Sequence, residues 1–331
     1  MLNLEQPETR FAINIVREAS LLVKRVQAKM VSPAITKGDY SPVTVADFAS
    51  QALVGKALAE QFPDQPLVAE EDSSELRKAN ERQTLQQVTK FVSERFPHST
   101  SEDISSWIDY GASEPADHFW TLDPIDGTKG FLRGDQYAVA LALIARGKVQ
   151  IGVLGCPNIS EGFKSDPGGP GTLAVAVRGE GAWHTELDSE PGVFKPLKVS
   201  DTKDPEQARL LRSYESGHTN VGQMDYLADE LSTTAEPVRM DSQAKYMVLA
   251  AGKAELYLRF LSPRQPDYKE KIWDQAAGSL IVEEAGGKVS DLYGLPLDFT
   301  TGRTLRSNRG VLASNKILHQ AALNALRAIN T

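Results

Sequence analysis

The chain has 331 residues and is acidic: 36 basic and 44 acidic side chains give a formal net charge of −8, with 41% of residues hydrophobic and 24% charged. This composition is typical of a soluble globular protein of one large or two smaller domains. The charge balance and the lack of a basic run argue against a nucleic-acid polymer as partner, and no apolar run approaches the roughly 20 residues that a membrane span requires.

The first third of the chain predicts helices and one short strand. Ile15, Leu22 and Val26 fall on one helical face, which indicates that the chain opens with a long amphipathic helix. A second helix is predicted from about Asp47 to Gln61, and Pro63 ends it. The other expected elements here are a strand at 67–69, a polar helix at 75–95 and an irregular acidic surface segment at 99–118.

Residues 120–184 predict strands joined by tight turns. Apolar runs separated by glycine-containing turns are typical of antiparallel strand pairs. The strands are expected at 120–122, 139–144, 149–154, 173–177 and 182–184, with turns at 146–147 and 179–181 and a loop at 165–171.

After Ser200 strand-like and helix-like runs alternate, which predicts a second α/β unit. The strands are expected at 210–211, 254–260 and 311–313, and the helices at 226–231, 242–251, 275–285 and 317–329. The predicted fold class is therefore α/β, with an α+β domain over residues 1–203 followed by an α/β domain over residues 204–331.

The sequence also predicts the compartment. Cys156 is the single cysteine, so no internal disulfide can form, and a reducing environment is expected. The N-terminus, MLNLEQPETRF, has neither an apolar signal-peptide core nor an Arg/Ser-rich transit pattern. We expect a cytoplasmic monomer, with an organelle form after transit-peptide removal as the alternative.

The most informative motif is LDPIDGTKG, residues 122–130. Pro124 fixes its own φ and disfavours helix at Asp123, so the carboxylates of Asp123 and Asp126 can converge on one point. Gly127 permits close approach of a ligand, and a helix that begins near Thr128 would offer free N–H groups to a phosphate. Clustered carboxylates can hold hard cations such as Mg²⁺. An Asx turn that feeds a helix cap would produce the same pattern.

Four further acidic residues accompany this motif. Glu70 and Glu71 follow a predicted strand, and adjacent like charges are costly unless they are solvated or neutralised by a metal. Asp274 precedes a largely apolar helix, and Asp47 begins one. Taken singly, the Glu pair could be a solvated loop, and either Asp could be a helix N-cap.

Three motifs of the chain together resemble those of a known family. LVAEED (67–72), LDPIDGTKGF (122–131) and WDQAAG (273–278) resemble the three signatures of the lithium-sensitive, magnesium-dependent phosphatases, which include inositol monophosphatase and fructose-1,6-bisphosphatase. The likeness is closer to the 3′(2′),5′-bisphosphate nucleotidases, and it extends from about Glu18 to the C-terminus. It is carried by SPVTVADFASQ, DPIDGTKGFLRGDQYAVAL, MDSQAKY, YLRF and YKEKIWD.

The resemblance implies a layered α/β/α/β/α sandwich of the inositol monophosphatase-like type and a site with two or three Mg²⁺ ions. It implies that Asp47 and Thr128 orient and deprotonate the attacking water. The implied metal ligands are Glu70, Asp123, Asp126, Asp274 and the backbone carbonyl of Ile125. The implied substrate-binding residues are Thr128, His218, Ser242, Lys245, Arg259 and Asp274.

Without the family, several of these residues have ordinary explanations. His218 would be a loop residue with no ligand, Ser242 a plain N-cap, and Lys245 and Arg259 solvated surface charges.

The implied activity is Mg²⁺-dependent, lithium-sensitive hydrolysis of the 3′-phosphate of adenosine 3′,5′-bisphosphate to AMP and phosphate by metal-activated water, in sulfur metabolism. 3′-Phosphoadenosine 5′-phosphosulfate is a further expected substrate. Such a small phosphorylated nucleotide is compatible with an acidic chain, because metals and a few cations can reverse the field inside one site. The alternatives are an inositol polyphosphate 1-phosphatase and a non-catalytic nucleotide-binding sensor. KGFLRGDQ and DSQAKY favour the nucleotide, and the complete set of carboxylates with Thr128 favours an enzyme.

Overall fold

The computed structural model describes residues 2–29, 35–36, 42–189, 193–214 and 221–329. The helices in this part of the chain are α1 (Pro7–Lys29), α2 (Val45–Gln61), α3 (Arg82–Ser93), α4 (Ser101–Asp109), α5 (Thr128–Leu132), α6 (Val221–Glu230), α7 (Ala244–Ala250), α8 (Ala276–Glu284) and α9 (His319–Ile329). The strands are β1 (Ile35–Thr36), β2 (Pro42–Val43), β3 (Leu67–Ala69), β4 (His118–Asp126), β5 (Ala138–Ala145), β6 (Lys148–Cys156), β7 (Thr172–Val177), β8 (Gly181–Glu186), β9 (Lys195–Pro196), β10 (Leu210–Arg212), β11 (Val238–Arg239), β12 (Leu256–Arg259), β13 (Lys288–Ser290) and β14 (Val311–Ser314).

A seven-stranded sheet in the order β3-β4-β5-β6-β7-β8-β9 forms the first half of the structure. Only the β3–β4 pair is parallel, and the other neighbours are antiparallel. Both faces of this sheet are covered. On β4, Trp120 and Leu122 pack in the cluster that holds α1 and α2, and Phe119 packs in the cluster that holds α8. The period-2 alternation of a strand explains this division between the two faces.

A five-stranded sheet in the order β11-β10-β12-β14-β13 forms the second half. Helices α7 and α8 lie between the two sheets, where Tyr246 and Leu280 share one core with Ala140 and Val311. Helices α6 and α9 cover the outer face of the second sheet. The layers are therefore helix, sheet, helix, sheet, helix, and the predicted α/β/α/β/α sandwich is confirmed.

The local signals that predicted most elements are visible in the structure. The apolar stripe of α1 is buried from Phe11 to Val26. Thr44 caps α2 and forms a reciprocal capping box with Asp47. The two hairpins predicted around residues 146–147 and 179–181 are the β5–β6 and β7–β8 pairs.

Two predictions for residues 75–118 were wrong. The segment 99–118 was expected to be irregular, but it contains α4, which Thr100 caps in a capping box with Asp103 and which buries Ile104 and Ile108. Ile104, Trp107 and Ile108 form the single apolar face of this nine-residue helix, and so short a pattern is easily missed. The helix expected at 75–95 begins as α3 only at Arg82, after a short 3₁₀ turn.

The first sheet ends at Pro196 and the second begins at Leu210. Helix α8 packs against strands of both sheets, so a division into domains near residue 203 stays a prediction. Among the described residues, no helix has the length and apolar character needed to cross a membrane.

Candidate active site

The acidic motif lies at the end of β4, where the strand becomes irregular. The β4–β5 register shifts between Asp123 and Asp126, and the chain then turns at Gly127, whose φ is 91°, into α5. A positive φ favours glycine, and a Cβ there would lie 3.0 Å from the Cβ of Ser242. Gly127 therefore lets the start of α5 approach the segment that carries Ser242.

Glu70 reaches the same edge of the sheet from β3. Ala69 is paired with Leu122 in the parallel β3–β4 ladder, so Glu70 and Asp123 are the next residues on neighbouring strands. Gln51 of α2 fixes this strand end: its amide nitrogen donates to the Glu71 carbonyl at 2.6 Å, and its amide oxygen accepts from the Glu71 N–H at 3.0 Å. The strand pairing thus positions Glu70 beside Asp123.

Gln243 connects Asp126 with the segment that carries Asp274. Its backbone N–H donates to Asp126 Oδ2 at 2.6 Å, and its side-chain amide donates to the Trp273 carbonyl at 2.9 Å. Asp274 lies in the residues just before α8, but it is not the helix N-cap. Gln275 occupies that position and makes no side-chain cap, so the N-cap alternative for Asp274 was wrong.

The carboxylates at this point repel one another. Burial raises the pKa of Asp123 well above its usual range, and the charges of Glu70, Asp126 and Asp274 raise it further. Burial raises the pKa of Asp126 to about 6, against the lowering effect of Lys245 and Arg259. Burial also raises the pKa of Asp274, with Arg259 opposing it. A hard cation would relieve this repulsion.

The oxygen atoms of these carboxylates are suitable ligands for such a cation. Asp123 is 2% exposed, yet none of the described groups donates a hydrogen bond to its Oδ1. A buried carboxylate oxygen without a donor is costly unless a cation binds it. Within the described ranges, no three acidic, histidine or cysteine side chains are close enough to be a ready-made ligand cage. The carboxylate oxygens are nonetheless the ligands that a hard ion such as Mg²⁺ prefers.

Asp47 and Thr128 lie beside the acidic cluster, which consists of Glu70, Asp123, Asp126 and Asp274. The Thr128 hydroxyl lies 3.5 Å from Asp47 Oδ1 and 3.4 Å from the carbonyl oxygen of Ile125. The other carboxylate oxygen of Asp47 accepts from the N–H and hydroxyl of Thr44, at 2.8 and 2.6 Å. Asp47 is therefore the N3 residue of α2, and Thr44 is the cap. This leaves Oδ1 directed at Thr128.

Two cations border the acidic cluster. Lys245, at the start of α7, is only 5% exposed; its ammonium group donates to the Ser213 hydroxyl at 2.8 Å and lies 5.0 Å from the centre of the Tyr257 ring. Arg259, the last residue of β12, pairs with the buried Glu270 at 2.6 Å. The alternative of solvated surface charges was therefore wrong for both.

Ser242 precedes α7 in the left-handed region, with φ at 62°, a conformation that is costly for a residue other than glycine. Its hydroxyl accepts from the Ala244 N–H at 3.2 Å, although Gln243 holds the N-cap position. Ser242 therefore stands next to both Gly127 and Lys245. His218 lies outside the described residues.

Sequence reasoning missed the residues that hold these groups in place. Gln243 and Glu270 are buried, and Asp241 accepts hydrogen bonds from Arg133, the residue after α5, and from the Tyr214 N–H. Asp241, Gln243 and Glu270 all lie within MDSQAKY and YKEKIWD, so position in those motifs was the available signal. Their burial and partners, which decide their roles, could not be read from it.

Comparison with known proteins gives the context of this site. Residues 4–331 match the Inositol monophosphatase family. A 3′(2′),5′-bisphosphate nucleotidase of Schizosaccharomyces pombe is 41% identical, covering 98% of this chain and 96% of its own. Among solved structures, the Thermotoga maritima IMPase has a TM-score of 0.65 at 18% identity, covering 97% of both chains. The 2′AMP-bound SaIMPase-II has a TM-score of 0.60 at 20% identity, covering 96% of both chains.

Proposed function

The chain belongs to the inositol monophosphatase family and is a phosphate-ester hydrolase of the 3′(2′),5′-bisphosphate nucleotidase type, and we propose that it converts adenosine 3′,5′-bisphosphate to AMP and phosphate. The observation that carries the proposal is the acidic cluster bordered by two cations, Lys245 and Arg259. One phosphate ester would react at the carboxylates while the cations hold the other phosphate. 3′-Phosphoadenosine 5′-phosphosulfate, which has an anionic group at the same end, would fit in the same orientation.

Enzymes of this family generally use Mg²⁺. In this chain the ligands would be Glu70, Asp123, Asp126, Asp274 and the Ile125 carbonyl, for two or three ions. When bound, Mg²⁺ supplies charge neutralisation and Lewis-acid polarisation of the phosphoryl oxygens.

Asp47 and Thr128 would activate the attacking water. The Thr128 hydroxyl donates to Asp47 Oδ1, which leaves its oxygen free to accept from a water on the other side. As the water attacks phosphorus, its proton passes to Thr128 and the hydroxyl proton passes to Asp47. The bond between phosphorus and the 3′-oxygen breaks, and the leaving oxygen takes a proton from solvent water to become the 3′-hydroxyl of AMP, while Asp47 returns its proton to solvent.

Lys245, Arg259 and Ser242 would bind the phosphate that does not react. Burial lowers the pKa of Lys245 to about 8, with Arg259 lowering it further and Asp126 opposing both. The amine is therefore mainly protonated at neutral pH. Glu270 pairs with the Nε of Arg259, and the Nη2 of Arg259 lies 3.9 Å from Asp274. A guanidinium held in this way can grip a phosphate through two parallel hydrogen bonds.

The deciding experiment is a phosphate-release assay with Mg²⁺ on adenosine 3′,5′-bisphosphate, 3′-AMP, the phosphosulfate and inositol 1,4-bisphosphate, with Asp123→Asn as the control. We expect fastest release from adenosine 3′,5′-bisphosphate, inhibition by Li⁺, no release with EDTA and little with the variant. Faster release from the inositol phosphate would make the chain an inositol polyphosphate 1-phosphatase. Nucleotide binding without any release would make it a sensor.

A further inference from the structure

Arg303 lies between the two segments that carry Glu70 and Asp274 and contacts both. One end of its guanidinium donates to the carbonyl of Ala69, the residue before Glu70, through Nη2 at 2.5 Å. Its Nη1 donates to the Ser113 carbonyl at 3.0 Å. Ser113 follows the short segment that bonds to β3, since the Ala69 N–H donates to the Gly111 carbonyl at 2.8 Å. The fork of Arg303 therefore holds the end of β3.

The flat face of the Arg303 guanidinium, together with the Arg303 backbone, contacts the residues just before Asp274. Its guanidinium carbon lies 5.0 Å from the centre of the Trp273 ring, in a cation–π arrangement. The Arg303 carbonyl accepts from the Ile272 N–H at 3.2 Å, and the next residue, Thr304, forms a β-bridge with Lys271. One residue thus contacts both neighbours of the acidic cluster, although Ala69 and Trp273 are distant in sequence.

The chemistry of these contacts indicates a geometric role. Among the described residues, no carboxylate forms an ion pair with Arg303, and burial lowers its pKa, with Glu114 and Asp72 opposing. A half-buried guanidinium that gives its hydrogens to two carbonyls and its face to an indole uses its planar, forked shape. The ammonium of a lysine could not make all three contacts at once.

We propose that Arg303 is a positioning residue that sets the separation of Glu70 and Asp274, and through it the affinity for Mg²⁺. The inference rests on the proposed function, since it takes those two carboxylates as metal ligands. Their mutual repulsion tends to spread them apart, and Arg303 limits this spreading by tying both supporting segments to one rigid group. Groups that hold metal ligands in place typically contribute about 10- to 100-fold to metal affinity.

The test compares Arg303→Lys and Arg303→Met with Arg306→Lys, an exposed arginine in the same loop. Mg²⁺ binding is measured without substrate, by calorimetry and by the rise in melting temperature, so that the result does not depend on which phosphate ester is hydrolysed. We expect both Arg303 variants to bind Mg²⁺ about tenfold or more weakly, with the KM for nucleotide at saturating Mg²⁺ within twofold of the wild type. Arg306→Lys should match the wild type.

Two results would overturn the inference. Unchanged Mg²⁺ affinity in Arg303→Lys would show that the contacts do not set the site, even if the protein without Mg²⁺ melts earlier. Equal losses in Arg303→Lys and Arg306→Lys would show a general effect of the loop. If Arg303→Met does not fold, Trp273→Phe replaces it, since this change shrinks the ring on which Arg303 and Lys271 stack and keeps both carbonyl contacts of Arg303. It should still weaken Mg²⁺ binding.

Discussion

Replacing Lys245 by Ala should separate recognition of the non-reacting phosphate from the chemical step. The Lys245 ammonium is buried beside Ser213 and Tyr257, close to Arg259, so a phosphate bound there would receive a hydrogen bond from a charged donor. Such a bond is worth roughly 1.5–3 kcal/mol, which corresponds to about one to two orders of magnitude in kcat/KM. Lys245→Ala should lose this factor on adenosine 3′,5′-bisphosphate, chiefly through KM, and much less on 3′-AMP, which lacks the 5′-phosphate.

The lowered pKa of Lys245 adds a second measurement. With a pKa of about 8, the amine is charged at pH 7 and mostly neutral at pH 9. Its contribution to phosphate binding is therefore present below pH 8 and is lost above it. The ratio of wild-type to Lys245→Ala kcat/KM should therefore shrink between pH 7 and pH 9. Lys253→Ala, an exposed lysine soon after α7, is the matched control. Equal losses on both substrates, or a ratio that does not change with pH, would refute this reasoning.

Three more outcomes are expected. Thr128→Ala should lower kcat by about 10²- to 10⁴-fold on both substrates with little change in KM, whereas Thr128→Ser should keep most activity; a loss confined to KM would contradict the relay with Asp47. Mg²⁺ should raise the melting temperature of the wild type more than that of Asp123→Asn, because a ligand of the native state stabilises it by mass action; coincident wild-type melts would argue against the site. Burial lowers the pKa of His319 to about 4, so its protonation favours the unfolded state, and the free energy of unfolding should fall as pH drops from about 6.5 towards 4. His319→Gln should reduce this pH dependence, as measured by urea titrations at several pH values. An unchanged pH dependence in the variant would show that the Ser290–His319–Ser314 hydrogen bonds are not responsible.

Local sequence patterns were sufficient for most of the architecture. The apolar stripe of α1, the hairpin turns and the proline that ends α2 follow rules that act within a few residues, so they can be read without a structure. The same holds in part for Asp123 and Asp126: a proline and a glycine mark the irregular segment that carries them, although the structure makes this segment the end of β4 and not a loop. The short helix α4 was missed because Ile104, Trp107 and Ile108 make too brief a pattern to stand out from an acidic segment.

Burial and long-range contact were decided by the tertiary structure alone. Lys245 has the sequence environment of a surface lysine, yet packing between the two sheets buries it and lowers its pKa. Gln243 bonds to Asp126 across 117 positions, and Arg303 bonds to Ala69 across 234. No periodicity links residues so far apart, because their proximity depends on how whole sheets stack. The sequence alone identified the carboxylates that we propose as cation ligands, and the packing of the two halves determined how they are held together.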